Sequence, residues 1–120
     1  METYHLCDSE YRFMQVVWAA APVGSGQLVE LCRSQLGWKK STTYTVIKRL
    51  SERGVLKTEN AVVTALITRE QVQEQESREF VDKTFSGSLP QFLAAFTRHQ
   101  SLSREEIDQI QSLIDNYREV

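Results

Sequence analysis

No run of about 18 apolar residues occurs in this 120-residue chain, which excludes a membrane-spanning helix and membrane insertion. The opening Met-Glu-Thr-Tyr-His has neither a basic n-region nor an apolar h-region. No secretory signal is therefore expected, and the protein is expected in the cytoplasm. Cysteine is scarce. Cys7 and Cys32 do not form a close ligand pair such as C-x-x-C, and in a reducing compartment both are expected to stay thiols. Histidine is as scarce, and His5 and His99 lie in different halves of the chain. There is no Gly-rich phosphate loop, H-E-x-x-H or nucleophile elbow, and the many serines and carboxylates form no constellation. These absences speak against catalysis, a metal or a cofactor.

The chain does contain ordinary globular material, 41% hydrophobic and 25% charged, enough for one domain or a small domain with an appendage. Its charge is unevenly placed. Residues 38–57 hold Lys39, Lys40, Lys48, Arg49, Arg53 and Lys57 against one acid, Glu52, a local +5. The other 100 residues carry eight basic and fifteen acidic side chains, or −7. An acidic protein that gathers its positive charge on one helix has built an electrostatic footprint for a polyanion.

Helical spacing of Tyr11, Met14, Val17 and Trp18 predicts a first helix over 8–20, with cap-type Asp8 and Ser9 at its start and Pro22 beyond its end. Gly24-Ser25-Gly26 reads as a turn into a second helix. Leu28, Val29, Leu31, Cys32 and Leu36 face its core, and Gly37 ends it in a left-handed conformation. A third helix is predicted from about Ser41 to Gly54. Thr43, Val46, Ile47 and Leu50 point inward at i, i+3, i+4 and i+7. Ser41, Thr42, Thr45, Lys48, Arg49 and Glu52 are left outside, with Tyr44 on the flank. Hydroxyls and a guanidinium in that array are what a recognition helix presents to the major groove. Ser and Thr are poor helix formers, so four of them in five positions point to selection for something besides stability.

After Gly54 the period becomes two. Val55–Thr58 and Val62–Ile67 predict a hairpin turning at Glu59-Asn60-Ala61. Helix-turn-helix followed by a hairpin is a winged helix-turn-helix. This wing has no Lys or Arg at its tip, so little phosphate contact is expected from it. Residues 68–120 read as an acidic helical half. A helix capped by Thr68 runs to Phe85, its first part expected to cross solvent as a linker; a second begins at Pro90; a third follows the Ser103-Arg-Glu-Glu106 capping box. Leu89, Phe92, Leu93 and Phe96 are expected to be buried, and Ile107, Ile110, Leu113, Ile114 and Tyr117 form a heptad-like seam. So much apolar surface on about 50 residues predicts burial against a second copy of the chain; folding back on its own winged domain is the alternative. The expected fold is mainly α with a small β wing. A winged helix-turn-helix DNA-binding domain, 1–67, precedes a three-helix dimerisation domain, 68–120.

The chain resembles the penicillinase repressors, the BlaI/MecI/CopY-type regulators. The resemblance rests on Leu6-Cys-Asp-Ser-Glu-Tyr11 with Met14 and Val17-Trp18, on Pro22, and on Gly37-Trp38. It continues through Thr42, Thr45, Arg49-Leu50 and Gly54, then Phe80, Phe85, Gly87, Ser88 and Leu89. It implies a homodimeric repressor on a palindromic double-stranded DNA operator, de-repressed by an external signal. Thr42, Thr45 and Arg49 would enter the major groove, and Lys39 and Lys40 would meet phosphates. In the antibiotic-responsive branch a membrane-bound sensor protease system cuts the repressor between Asn and Phe; the matching pair here is Ala95-Phe96, where Ala replaces Asn. The copper-responsive branch uses C-terminal Cys-x-Cys pairs, and no Cys follows Cys32. The wing is shorter than the family's and lacks its glycine and basic tip. Two other readings compete: a winged helix that binds protein, and a small-molecule-sensing regulator with weak DNA contact and a pocket lined by Phe85, Phe92 and Phe96.

Overall fold

The computed structural model describes residues 5–118. The chain folds as two compact units, divided in sequence between Glu79 and Phe80. The first begins with α1 (Asp8–Ala20). Its cap position falls on Cys7, not on Asp8 or Ser9, because Glu10 reaches back to accept the Cys7 N–H at 3.1 Å. The buried arc of α1 is wider than a single stripe: Phe13, Met14, Val16 and Val17 are buried, while Tyr11 and Trp18 are half-buried. The helix is covered by other elements on two sides, which is why the arc widens.

Past Pro22, β1 (Val23–Gly24) adds a strand that a two-residue segment cannot announce by periodicity. Next come α2 (Ser25–Leu36), α3 (Lys40–Glu52) and the hairpin of β2 (Leu56–Glu59) and β3 (Val62–Ala65). The antiparallel sheet has the order β1-β3-β2, with Val23 opposite Val63 and Glu59 opposite Val62. The hairpin turns on two residues rather than three. Asn60 and Ala61 both take positive φ, 52° and 60°, as a type I′ turn requires.

The helix α4 (Arg69–Phe85) starts with a reciprocal box: Thr68 Oγ1 accepts from Gln71 N–H at 3.0 Å, and Thr68 N–H donates to Gln71 at 2.8 Å. Its first half does not cross solvent. Val72 is fully buried, Arg69 donates to Gln15 at 3.0 Å and lies over the Trp18 ring, and Glu76 accepts the Leu6 N–H at 3.4 Å. One valine and several polar contacts hold it against α1, so the apolar periodicity expected of a packed helix is missing.

The second unit holds the end of α4, α5 (Leu89–Phe96) and α6 (Arg104–Arg118). Local chemistry sets its helix starts. Ser88 Oγ caps Gln91 N–H at 3.1 Å with Pro90 in the first turn, and Ser103 and Glu106 exchange bonds of 3.0 Å. Phe80, Phe85, Phe92 and Phe96 make an aromatic chain with centroids 5.5–6.0 Å apart. No described residue of this unit is fully buried. Phe85, Phe92, Leu93 and Ile110 are half-buried, while Phe80, Leu89, Phe96, Ile107, Leu113 and Ile114 are exposed. The burial expected for Leu89 and Phe96 is therefore absent within one chain. Three short helices do not enclose a core.

Candidate nucleic-acid interface

Gly37, at φ 71°, ends α2, and its N–H bonds the Arg33 carbonyl at 3.1 Å. Only a few residues therefore separate α2 from α3. The Trp38 ring stacks on Phe13 at 5.5 Å, nearly parallel, and fixes the turn to α1. Along α3 the 3.6-residue period sorts the side chains. Thr43, Val46, Ile47 and Leu50 are buried. Lys40, Ser41, Thr42, Tyr44, Thr45, Lys48 and Arg49 are all exposed, as is Lys39 at the cap position. No side chain caps this helix, so the first N–H groups, flanked by Lys39 and Lys40, stay open to an anion.

The cations of this surface are not equivalent. Lys39, Lys40 and Lys48 form no ion pair with a described residue. Lys57, at the base of the wing, pairs with Glu59 at 3.2 Å, so the wing neutralises its own lysine. Arg49 and Arg53 converge on Glu10, whose side chain is 6% exposed. Arg49 Nε donates to Glu10 Oε2 at 2.9 Å, and Arg53 Nη1 donates to both carboxylate oxygens at 3.1 Å. Arg53 also donates to the His5 carbonyl. Burial works against the Glu10 charge, but the Cys7 N–H and the two guanidiniums outweigh it, and the carboxyl is held below its ordinary value.

The sequence reading missed this network. From the sequence Glu10 is only a dipole partner in the first turn, and Arg53 only one of the six cations of the basic patch. A signal was present: Glu10 shares the apolar register 10-13-14-17 of α1, and an acid on a core face needs a cation. Cys32 is fully buried beside Thr43, and burial pushes its thiol up. Among the described residues no group of three or more His, Cys, Asp or Glu is placed to hold a metal, and no helix is long and apolar enough to cross a membrane.

A three-stranded sheet against three helices, with a hydroxyl-rich and basic face on the third, defines a winged helix-turn-helix DNA-binding protein. The chain belongs to the penicillinase repressor family, whose model matches residues 6–116. It is a DNA-binding transcriptional repressor and not an enzyme. It is 23% identical over 118 residues to the methicillin resistance regulatory protein MecI of Staphylococcus aureus, covering 95% of this chain and 96% of that one. It is 22% identical to the penicillinase repressor of Bacillus licheniformis, covering 94% and 91%. An uncharacterized 16.5 kDa protein of Latilactobacillus sakei is 30% identical over 116 residues, covering 93% and 80%. Among solved structures, the Bacillus licheniformis BlaI monomeric form in complex with the blaP half-operator shares the fold. Its TM-score is 0.50 and its identity 22%, over 57% of this chain and 89% of that one.

Proposed function

We propose that this repressor works in the cytoplasm as a homodimer on a palindromic operator, with one α3 in each major groove. The reading is carried by one observation: a single face of α3 exposes Lys39, Lys40, Ser41, Thr42, Tyr44, Thr45, Lys48 and Arg49, while the opposite face is buried. Lys39 and Lys40 meet phosphates at the open helix start; Thr42, Thr45 and Arg49 meet base edges. That BlaI was solved on a half-operator supports the same docking here. Residues 1–67 read DNA and residues 68–120 dimerise, the first half of α4 serving as an anchor on the winged unit. The dimer seam is drawn from Phe80, Phe85, Leu89, Phe92, Leu93, Phe96, Ile107, Ile110, Leu113 and Ile114, a set without a full internal core. Release follows an external signal; the pair that matches the family's cut by a membrane-bound sensor protease system is Ala95-Phe96, and Ala in place of Asn argues against cleavage there. The pair closes α5, and Phe96 is exposed there.

Fluorescence anisotropy on duplex DNA from upstream of the coding region, with random duplex as competitor and salt stepped, tests the docking. Two protomers per site and affinity falling steeply with salt are expected. Lys40→Ala is expected to weaken specific and random DNA alike and to lower the salt slope by about one per half-site. Equal affinity for random DNA, or none at low salt, defeats the operator reading.

A further inference from the structure

A guanidinium can meet an acceptor pair side-on, through Nε and one Nη, or end-on, through both Nη nitrogens. In Arg49 the side-on edge is already occupied: Nε is bonded to Glu10 Oε2 at 2.9 Å. Its side chain is still 46% exposed, and no described residue takes its Nη1 or Nη2. Arg53 differs. It meets both oxygens of the same carboxylate and the His5 carbonyl, and so is held within the protein. Glu10 itself cannot reach DNA: it is buried on α1, and among the described residues Arg49, Arg53 and the Cys7 N–H are its three hydrogen-bond partners.

We propose that Glu10 is a specificity-determining positioning residue. It holds Arg49 by Nε so that the two Nη nitrogens meet a base pair's acceptors end-on, with guanine O6 and N7 as the target, while Arg53 clamps the carboxylate. This rests on the reading that the exposed face of α3 enters the major groove. The anchor removes rotamer freedom from a long side chain before DNA arrives, which favours discrimination more than bulk affinity. The carboxylate also keeps the guanidinium from acting as a free phosphate-seeking cation.

Selection of bound duplexes from a randomised pool by the full-length protein, followed by sequencing, tests it. The wild type, Arg49→Ala, Glu10→Gln and the double variant are compared, with thermal melts to show that each folds. The expected result is a guanine preference at one position per half-site that falls about tenfold in Arg49→Ala and comparably in Glu10→Gln. In the Arg49→Ala background Glu10→Gln should add no further loss at that position. A purely structural role for Glu10 would instead weaken all positions together and add to the Arg49 effect. If Glu10→Gln does not fold, Glu10→Asp, which keeps the charge but draws it back from Nε, is judged by the same criterion. A preference retained at the Arg49-dependent position in the folded Glu10 variant overturns the proposal. A wild type that selects no motif, or an Arg49→Ala variant that keeps every position, overturns the groove reading itself and the proposal with it.

Discussion

Glu10 is a charge set into a hydrophobic face, and its acidity follows from its neighbours. Two half-exposed guanidiniums and one backbone N–H favour the carboxylate over the acid, against burial. The folded pKa of Glu10 lies below the ordinary 4.5. The stability it contributes is therefore fully present above that ordinary value and is lost as the pH falls through the folded one. Glu10→Gln is expected to cost about 1.5–3 kcal/mol at pH 7, the range for a hydrogen bond to a charged group. Urea unfolding measured at pH 7 and again below pH 4 checks both parts: the gap between wild type and variant should narrow in acid. A gap of constant size would mean that the side chain acts by shape and not by charge.

At the scale of single elements, the hairpin carries an avoidable strain. Ala61 sits at φ 60°, where an L-residue other than Asn or Gly costs about 1–2 kcal/mol. Its carbonyl accepts the Ser25 N–H at 2.8 Å, so the conformation is tied to the start of α2. Ala61→Gly is expected to raise the melting temperature by a few degrees, the relief of strain exceeding the extra chain entropy of glycine. A fall in melting temperature would show that the turn tolerates the alanine without cost. Several boundaries governed by adjacent residues were legible in the sequence, although the Cys7 cap of α1 and the two-residue length of the hairpin turn were not. Gly37, Thr68, Ser88 with Pro90, and Ser103 with Glu106 act within one turn, and each stands where the helix boundary falls. The outward face of α3 was legible for the same reason, since four inward residues fix the phase of a 13-residue helix. What depended on distant partners was not. The strand β1 exists only because β3 lies beside it, and the packed half of α4 shows one buried residue, Val72, among polar ones. The Arg49 contact is to a residue 39 positions earlier.

At the scale of the whole molecule, the two units differ in how they satisfy their apolar surface. The first encloses a core from Leu6 to Val72; the second leaves α6 with Leu113 71% and Tyr117 83% exposed. A contiguous apolar face of this kind is the surface proposed above for association with a second copy. Two truncations separate folding from association. A chain ending at Glu79 keeps Val72, the Arg69–Gln15 bond and the Glu76 acceptor for Leu6. One ending at Ile67 loses all three, and the burial of a valine alone is worth about 1.5–3 kcal/mol. The shorter chain is therefore expected to melt roughly 10 °C below the longer one. The longer one is expected to sediment as a folded monomer at concentrations where the full chain is a dimer. It should bind a half-site as tightly as the full chain does, yet lose most affinity for the paired site, because the second contact is no longer linked to the first. A chain ending at Glu79 that still sediments as a dimer would move the association surface into the winged unit and leave the exposed face of α6 for another partner.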